Sequence, residues 1–147
     1  MSGPVVSLRG VRFAYPDGRR ALDGMDLDIH PGERVALLGP NGAGKTTMVL
    51  HLNGILLPQE GAVEVAGLPV TREHFPEVRR RVGIVFQDPD DQVFMPTVRE
   101  DVAFGPANLG LKGAALEARV EAALSAVGME ERRDRAQPAD RASRTSG

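Results

Sequence analysis

The sequence predicts an α/β fold with three parts: an N-terminal antiparallel β subdomain, a core of parallel strands, and the start of a helical subdomain. Three observations support this. Residues 5–33 hold two strand-like segments that end in turns, and residues 35–38 are apolar without alternation. Residues beyond 97 carry apolar side chains at helical spacing. Alternation is typical of strands with one solvated face, and uninterrupted apolar runs are typical of strands buried on both faces.

The two N-terminal segments predict an antiparallel pair. The first, "VVSLRGVRFAYPDG", contains β-branched and aromatic residues and ends in a Pro-Asp-Gly turn. In the second, "MDLDIHPGE", Met25, Leu27 and Ile29 alternate with polar residues before a Pro-Gly stop. We expect these strands to form a sheet with one solvent-exposed face.

The core elements follow directly. The apolar residues 35–38 lead into a glycine-rich loop, after which a helix is predicted from Lys45 to about Asn53, with Gly54 as its C-terminal glycine. "GAVEVAGLPV" predicts a small hairpin that turns at Gly67. "FPEVRRRVGIVFQDP" predicts a short basic helix followed by a strand over residues 82–86.

The remaining chain predicts helices and a tail. Thr97 can cap a helix with Glu100 three positions later. Four apolar residues at spacings of four, four and three predict an amphipathic helix that ends at Gly128: Leu116, Val120, Leu124 and Val127. Residues 136–147 contain no large apolar side chain, so we expect this tail to be disordered.

Residues 39–46 match the phosphate-loop pattern G-x-x-x-x-G-K-[ST], between an apolar strand and a helix as that pattern requires. Glycines let backbone N–H groups turn toward a phosphate, and the helix adds its positive N-terminal end. Lys45 would bridge the β- and γ-phosphates, and the Thr46 hydroxyl would bind Mg²⁺. The alternative is a glycine-rich turn without a ligand. The predicted site for ATP and Mg²⁺ consists of Gly39, Pro40, Asn41, Gly42, Ala43, Gly44, Lys45, Thr46 and Thr47.

Several motifs in order resemble one family. "FAYPDG", "GPNGAGKTT", "GAVEVAGLPV" and "VGIVFQDPDDQVF" resemble the ATP-binding subunit of ATP-binding cassette (ABC) transporters, most of all the cobalt, nickel and vitamin importers of the energy-coupling factor type. The resemblance implies a P-loop NTPase (RecA-like) core, and a partial ABC-type nucleotide-binding domain over residues 1–135. Residues 136–147 then form the disordered or aberrant tail.

The resemblance also implies roles for residues outside the loop. Tyr15 matches the aromatic residue that stacks on adenine. Gln87 matches the glutamine that contacts Mg²⁺ and the attacking water and senses the membrane subunit. A surface that docks this subunit is implied for Gln87, Asp88, Pro89, Asp90, Asp91, Gln92 and Phe94. The implied partners are a transmembrane subunit and a second ATP-binding subunit, which places the chain peripherally on the cytoplasmic face of the cell membrane.

The family's hydrolytic groups are not found in this sequence. There is no Leu-Ser-Gly-Gly signature, no apolar run followed by Asp-Glu, and no histidine after His74. No catalytic residue is therefore predicted, and two C-terminal core strands of the family fold are missing. We expect the isolated chain to be marginally stable and to bind ATP weakly or not at all. A frameshifted or truncated gene, or a natural half-protein that pairs with a second fragment, would explain the pattern.

Composition removes several other classes of function. The net charge of -2 offers no overall basic surface, so no nucleic-acid partner is predicted, and there is no cysteine. No secretory signal or membrane-spanning run is recognisable. Two alternatives remain beside a transport ATPase: a docking module that binds nucleotide without hydrolysis, and a small P-loop kinase or GTPase. The Asn-Lys-x-Asp guanine motif of a GTPase is absent.

Overall fold

The structure, a computed structural model, describes residues 3–88 and 92–136. The chain divides into two compact units, Met1–Ile84 and Val85–Gly147. Among the described residues, the first unit carries a β-sheet, the glycine-rich loop and two α-helices, and the second carries two further α-helices.

The sheet of the first unit has four antiparallel strands in the order β2-β1-β3-β4. These are β1 (Val6–Ala14), β2 (Arg20–Ile29), β3 (Glu60–Val65) and β4 (Leu68–Pro69). The predicted N-terminal antiparallel sheet is therefore confirmed. The hairpin over 60–69 is confirmed too, because Ala66 and Gly67 both have positive φ angles, 50° and 75°, as a tight two-residue turn requires.

Two helices belong to the first unit, α1 (Lys45–Leu52) and α2 (Phe75–Arg81). Helix α1 begins and ends as predicted, and Gly54 follows it with φ 74°. The sheet and both helices share one hydrophobic core: Leu8, Val11, Leu22, Met48, Val63, Val65, Val70 and Val78. Met48 is the residue of α1 in this buried cluster. Its burial holds the helix, and the loop that precedes it, against the sheet.

The predicted core strands over residues 35–38 and 82–86 do not form. Leu38 and Val85 are 87% and 89% exposed, whereas Leu37 and Val82 pack against the core of the first unit. A parallel strand exists only with neighbours that accept and donate its backbone hydrogen bonds. In the part of the chain that the structure describes, the only sheet consists of the four antiparallel strands. The prediction of strands over residues 35–38 and 82–86 is therefore wrong, and so is the burial on both faces that was expected for residues 35–38.

The second unit contains α3 (Val98–Asn108) and α4 (Gly113–Ala126), which pack against each other. The capping box at Thr97 and Glu100 is confirmed. Val120 and Leu124 are buried as the helical spacing predicts, but Val127 is 68% exposed because it lies beyond the end of α4. Ala136 forms an isolated bridge with Thr97, and residues 137–147 of the predicted tail lie outside the described residues.

Candidate functional site

The glycine-rich loop ends in a turn that only glycine fits. Gly44 has φ 90° and directly precedes α1. A Cβ atom added there would lie 2.3 Å from the backbone oxygen of Ala21 on β2, far inside van der Waals contact. Gly42 has a similar φ of 83°, but a Cβ atom there would meet nothing within 4 Å. The close approach at Gly44 therefore fixes the start of α1 against the sheet.

The first turn of α1 presents unpaired backbone donors. Met48 N–H donates to Gly44 O at 2.9 Å, which is the first bond of the helix ladder. The N–H groups of Lys45, Thr46 and Thr47 precede it and have no acceptor among residues 3–88 and 92–136. The first turn also contains no acidic side chain. Donors of this kind, at the positive end of the helix dipole, form an environment suited to an anion.

Lys45 adds a full positive charge to the same place. Its Nζ donates to the backbone oxygens of Gly39 and Pro40 at 2.5 and 2.7 Å, so the side chain lies along the loop. Thr46 is exposed at the second position of α1, and Ala43 N–H closes the loop by donating to Pro40 O at 3.2 Å. The nine predicted loop residues are thus continuous with the start of α1, and the Thr46 hydroxyl has no hydrogen-bond partner among residues 3–88 and 92–136.

Tyr15 lies beside the loop helix although it is distant in sequence. Its hydroxyl is 2.9 Å from Oγ1 of Thr47, a residue buried in the first turn of α1. The guanidinium carbon of Arg19 lies 4.8 Å from the centroid of the Tyr15 ring. The β1–β2 turn brings these two residues together, because Tyr15 N–H donates to Arg19 O at 2.9 Å. Tyr15 and the loop are therefore parts of one surface of the first unit.

His51 is a member of this region that sequence reasoning missed. It is fully buried on α1, with Nδ1 2.7 Å from the backbone oxygen of Thr47. Its ring meets that of Phe13 edge to face at 5.0 Å. Burial lowers the pKa of His51, and the backbone of Thr47 and Leu57 offsets this only in part. The signal available in the sequence was the spacing of four between Thr47 and His51 on a helix that begins at Lys45.

The lowered pKa of His51 predicts a pH dependence of stability. In the unfolded chain His51 titrates near its ordinary pKa of about 6.5, whereas the folded protein takes up this proton only at lower pH. Below about pH 6.5 the unfolded state therefore binds more protons, and the free energy of unfolding falls as the pH is lowered. Urea unfolding from pH 8 to pH 5 measures this. A His51→Phe variant should lose less stability than wild type over that range, and equal losses would contradict the assignment.

The predicted docking residues belong to the second unit. Gln87 and Asp88 are exposed, and Pro89, Asp90 and Asp91 lie outside the described residues. Gln92 donates from Nε2 to the backbone oxygen of Phe86 at 3.2 Å. Phe94 is 62% exposed and packs edge to face on Phe104, with ring centroids 4.7 Å apart. The exposed Phe94 ring is thus packed against Phe104 of α3.

A comparison with models of protein families identifies the family of this chain. The family model described as "ABC transporter" matches residues 22–147. The chain belongs to the ABC transporter family. Its resemblance to the ATP-binding subunits of that family, and the fold class predicted from it, are thereby confirmed.

The relatives of this ABC transporter chain are about twice its length. A putative ABC transporter ATP-binding protein of Streptomyces avermitilis is 67% identical over 131 residues, which are 89% of this chain and 50% of the relative. The energy-coupling factor transporter ATP-binding protein EcfA of Methanocaldococcus jannaschii is 54% identical over 128 residues, 86% of this chain and 46% of that one. The chain therefore spans about half the length of the curated relatives it matches.

A solved structure agrees with this placement. The ABC family chain resembles cbiO1 from Clostridium perfringens, described as part of the ABC transporter complex cbiONQ, with a TM-score of 0.77 and 36% identity. The similarity covers 92% of this chain and 55% of cbiO1. In the described part of the ABC family chain, no helix is both long and apolar enough to cross a bilayer.

The donor set fits ATP and is compatible with Mg²⁺. Unpaired N–H groups and the Lys45 ammonium suit the phosphates of a nucleotide. Mg²⁺ in nucleotide sites takes few protein ligands and is held mostly by phosphates and water. The exposed Thr46 hydroxyl can supply one such ligand, and the described residues contain no cluster of three or more His, Asp or Glu side chains that would hold the ion by itself.

Proposed function

We propose that this chain provides the nucleotide-binding part of the ATP-binding subunit of an ABC importer of the energy-coupling factor type, which carries cobalt, nickel or a vitamin. One observation carries the proposal: Tyr15, Lys45 and the unpaired donors of α1 share one surface, with Tyr15 joined to the helix by its hydrogen bond to Thr47. A ring, a cation and anion-binding N–H groups are the parts that a base followed by phosphates requires.

Each part has a distinct task. The Tyr15 ring stacks on adenine, a contact of about 1–3 kcal/mol for aromatic residues and bases. The N–H groups of the first turn and Lys45 would neutralise the β- and γ-phosphates, and the Thr46 hydroxyl would contribute to holding Mg²⁺. When bound, Mg²⁺ neutralises charge on the phosphate oxygens.

The proposed assembly contains two further kinds of subunit. Gln87, Asp88, Gln92 and Phe94, together with residues 89–91, dock a transmembrane subunit at the cytoplasmic face of the membrane. A second ATP-binding subunit completes a homo- or heterodimer. The relatives named as components of energy-coupling factor and cbiONQ transporters support this, as does the exposed Phe94 ring.

Hydrolysis is assigned to the complete transporter. In-line attack on the γ-phosphate needs an oriented water, a base or orienting group, and charge stabilisation opposite the loop. The sequence has no apolar run followed by Asp-Glu and no histidine after His74. A second candidate function is a fragment that binds nucleotide or the membrane subunit without hydrolysis, which the exposed Phe94 ring supports.

Nucleotide binding can be tested with the only tyrosine of the chain. Tyr15 is the single tyrosine and there is no tryptophan, so emission excited near 280 nm reports on Tyr15 alone. Because weak ATP binding is expected of the isolated chain, both ligands are titrated to millimolar concentration. Mg-ATP is expected to change this emission, whereas inorganic tripolyphosphate, which lacks a base, should bind without the same change. In a Tyr15→Leu variant, calorimetry should show ATP affinity lowered about fivefold or more, with tripolyphosphate affinity unchanged.

Three results would speak against this function. The nucleotide site is refuted if neither ligand binds at millimolar concentration, and base stacking on Tyr15 is refuted if Tyr15→Leu binds ATP as wild type does. Co-purification with a transmembrane subunit without ATP binding would favour the docking fragment instead.

A further inference from the structure

Four residues next to the proposed nucleotide site contact one another in a cycle, each touching two of the others: Phe13, Tyr15, Thr47 and His51. The ring of Phe13 meets those of Tyr15 and His51 edge to face, at 5.1 and 5.0 Å. Tyr15 and Thr47 are joined through their hydroxyls at 2.9 Å. His51 returns to Thr47 through Nδ1 and the backbone oxygen, at 2.7 Å. Phe13 lies on β1, Tyr15 directly follows that strand, and Thr47 and His51 lie on α1, so this set joins the strand to the loop helix.

The hydrogen bond to Thr47 determines the protonation of His51. A backbone oxygen can only accept, so Nδ1 must carry the proton. Burial lowers the pKa of the ring and favours the neutral form, which leaves Nε2 without a proton. The Nε2 atom is buried, and although the backbone of Leu57 acts on the ring, no group among the residues that the structure describes meets hydrogen-bond geometry with Nε2. A buried polar atom without a partner costs free energy, and a leucine or phenylalanine would avoid this cost.

We infer that His51 is a positioning residue for the base site. Its donated hydrogen bond sets the orientation of the imidazole on α1, and the oriented ring holds Phe13, which in turn holds the Tyr15 ring. Thr47 closes the set by holding the Tyr15 hydroxyl. The ring face that stacks on the base is thereby kept in register with the phosphate loop, although the two lie on different elements. This inference rests on the proposed role of Tyr15 as the base-stacking residue.

Two variants separate the ring of His51 from its hydrogen bond. His51→Phe keeps a ring that can meet Phe13 but removes the donor to Thr47, and it also removes the unpartnered Nε2. His51→Asn keeps an amide donor near the position of Nδ1 but removes the ring. His30→Asn is the matched control, because His30 is an exposed histidine of the same unit.

The measured quantity is the ratio of ATP affinity to tripolyphosphate affinity, which isolates the contribution of the base. Both His51 variants are expected to lower this ratio about five- to tenfold, with tripolyphosphate binding unchanged, since the loop itself is intact. His51→Phe should do so without loss of thermal stability. Acrylamide should quench Tyr15 emission more strongly in both variants even without ligand. His30→Asn should match wild type in all these measurements.

Two outcomes would overturn the inference while leaving the proposed function standing. In the first, His51→Phe and His51→Asn retain the wild-type affinity ratio and the wild-type quenching of Tyr15. In the second, ATP and tripolyphosphate affinities fall together in proportion to lost stability, which is what a purely structural histidine would produce. If wild type itself shows no gain of affinity from the base, the role of Tyr15 fails and the inference fails with it.

Discussion

Replacement of Gly44 by alanine is expected to destabilise the first unit by about 3 kcal/mol or more. Two costs add at this position. The φ of 90° is unfavourable for any residue with a side chain, and the new Cβ atom would lie 2.3 Å from the oxygen of Ala21. That oxygen belongs to the backbone of β2, at the irregular position between Arg20 and Leu22, which pair with Ala14 and Phe13 of β1, so a shift of Ala21 would disturb its paired neighbours. Urea unfolding followed by circular dichroism measures the loss.

Gly42→Ala is the matched control for this prediction. It has a similar φ of 83°, but an added Cβ atom would have no heavy atom within 4 Å. Its expected cost is the backbone term alone, about 1–2 kcal/mol. Equal losses of stability in the two variants would show that the approach of Gly44 to β2 does not constrain the loop, and would contradict the geometry described for the start of α1.

Replacement of Lys45 by alanine is expected to lower the affinity for both Mg-ATP and tripolyphosphate by about tenfold or more. Hydrogen bonds to charged groups contribute about 1.5–3 kcal/mol each, and Lys45 is the cation of the phosphate loop. The stability of the protein should change little, because among the described residues the Lys45 ammonium bonds only to the exposed backbone oxygens of Gly39 and Pro40. Isothermal titration calorimetry with each ligand measures the two affinities.

Lys112→Ala is the control, since Lys112 is the only other lysine and belongs to the second unit. It removes the same charge and the same side chain at a distant position in the sequence. If both lysine variants lose the same affinity, the effect comes from net charge and not from the loop. An unchanged affinity in Lys45→Ala would place the phosphates elsewhere on the protein.

Local patterns in the sequence were sufficient for several elements. The first turn of α1, the capping box of Thr97 and the turn at Gly67 each depend on residues within four positions of one another. The apolar runs over 35–38 and 82–86 misled because a strand buried on both faces depends on neighbours that its own residues do not encode. The predicted burial of Val127 was wrong for a related reason. The apolar spacing continues to residue 127, but the backbone of α4 ends at Ala126.

The sequence by itself determined the chemistry of the loop: the glycines, the Lys45 ammonium and the Thr46 hydroxyl follow from residue type and spacing along one segment. Only the tertiary structure decided the contacts of Tyr15. Its hydroxyl meets Thr47, Arg19 lies over its ring, and its ring meets Phe13, which in turn meets His51. These contacts depend on how β1 lies against α1. That arrangement is set by burial of Met48, Leu8 and Val11 in one core, and core packing is a property of the folded chain that no single segment specifies.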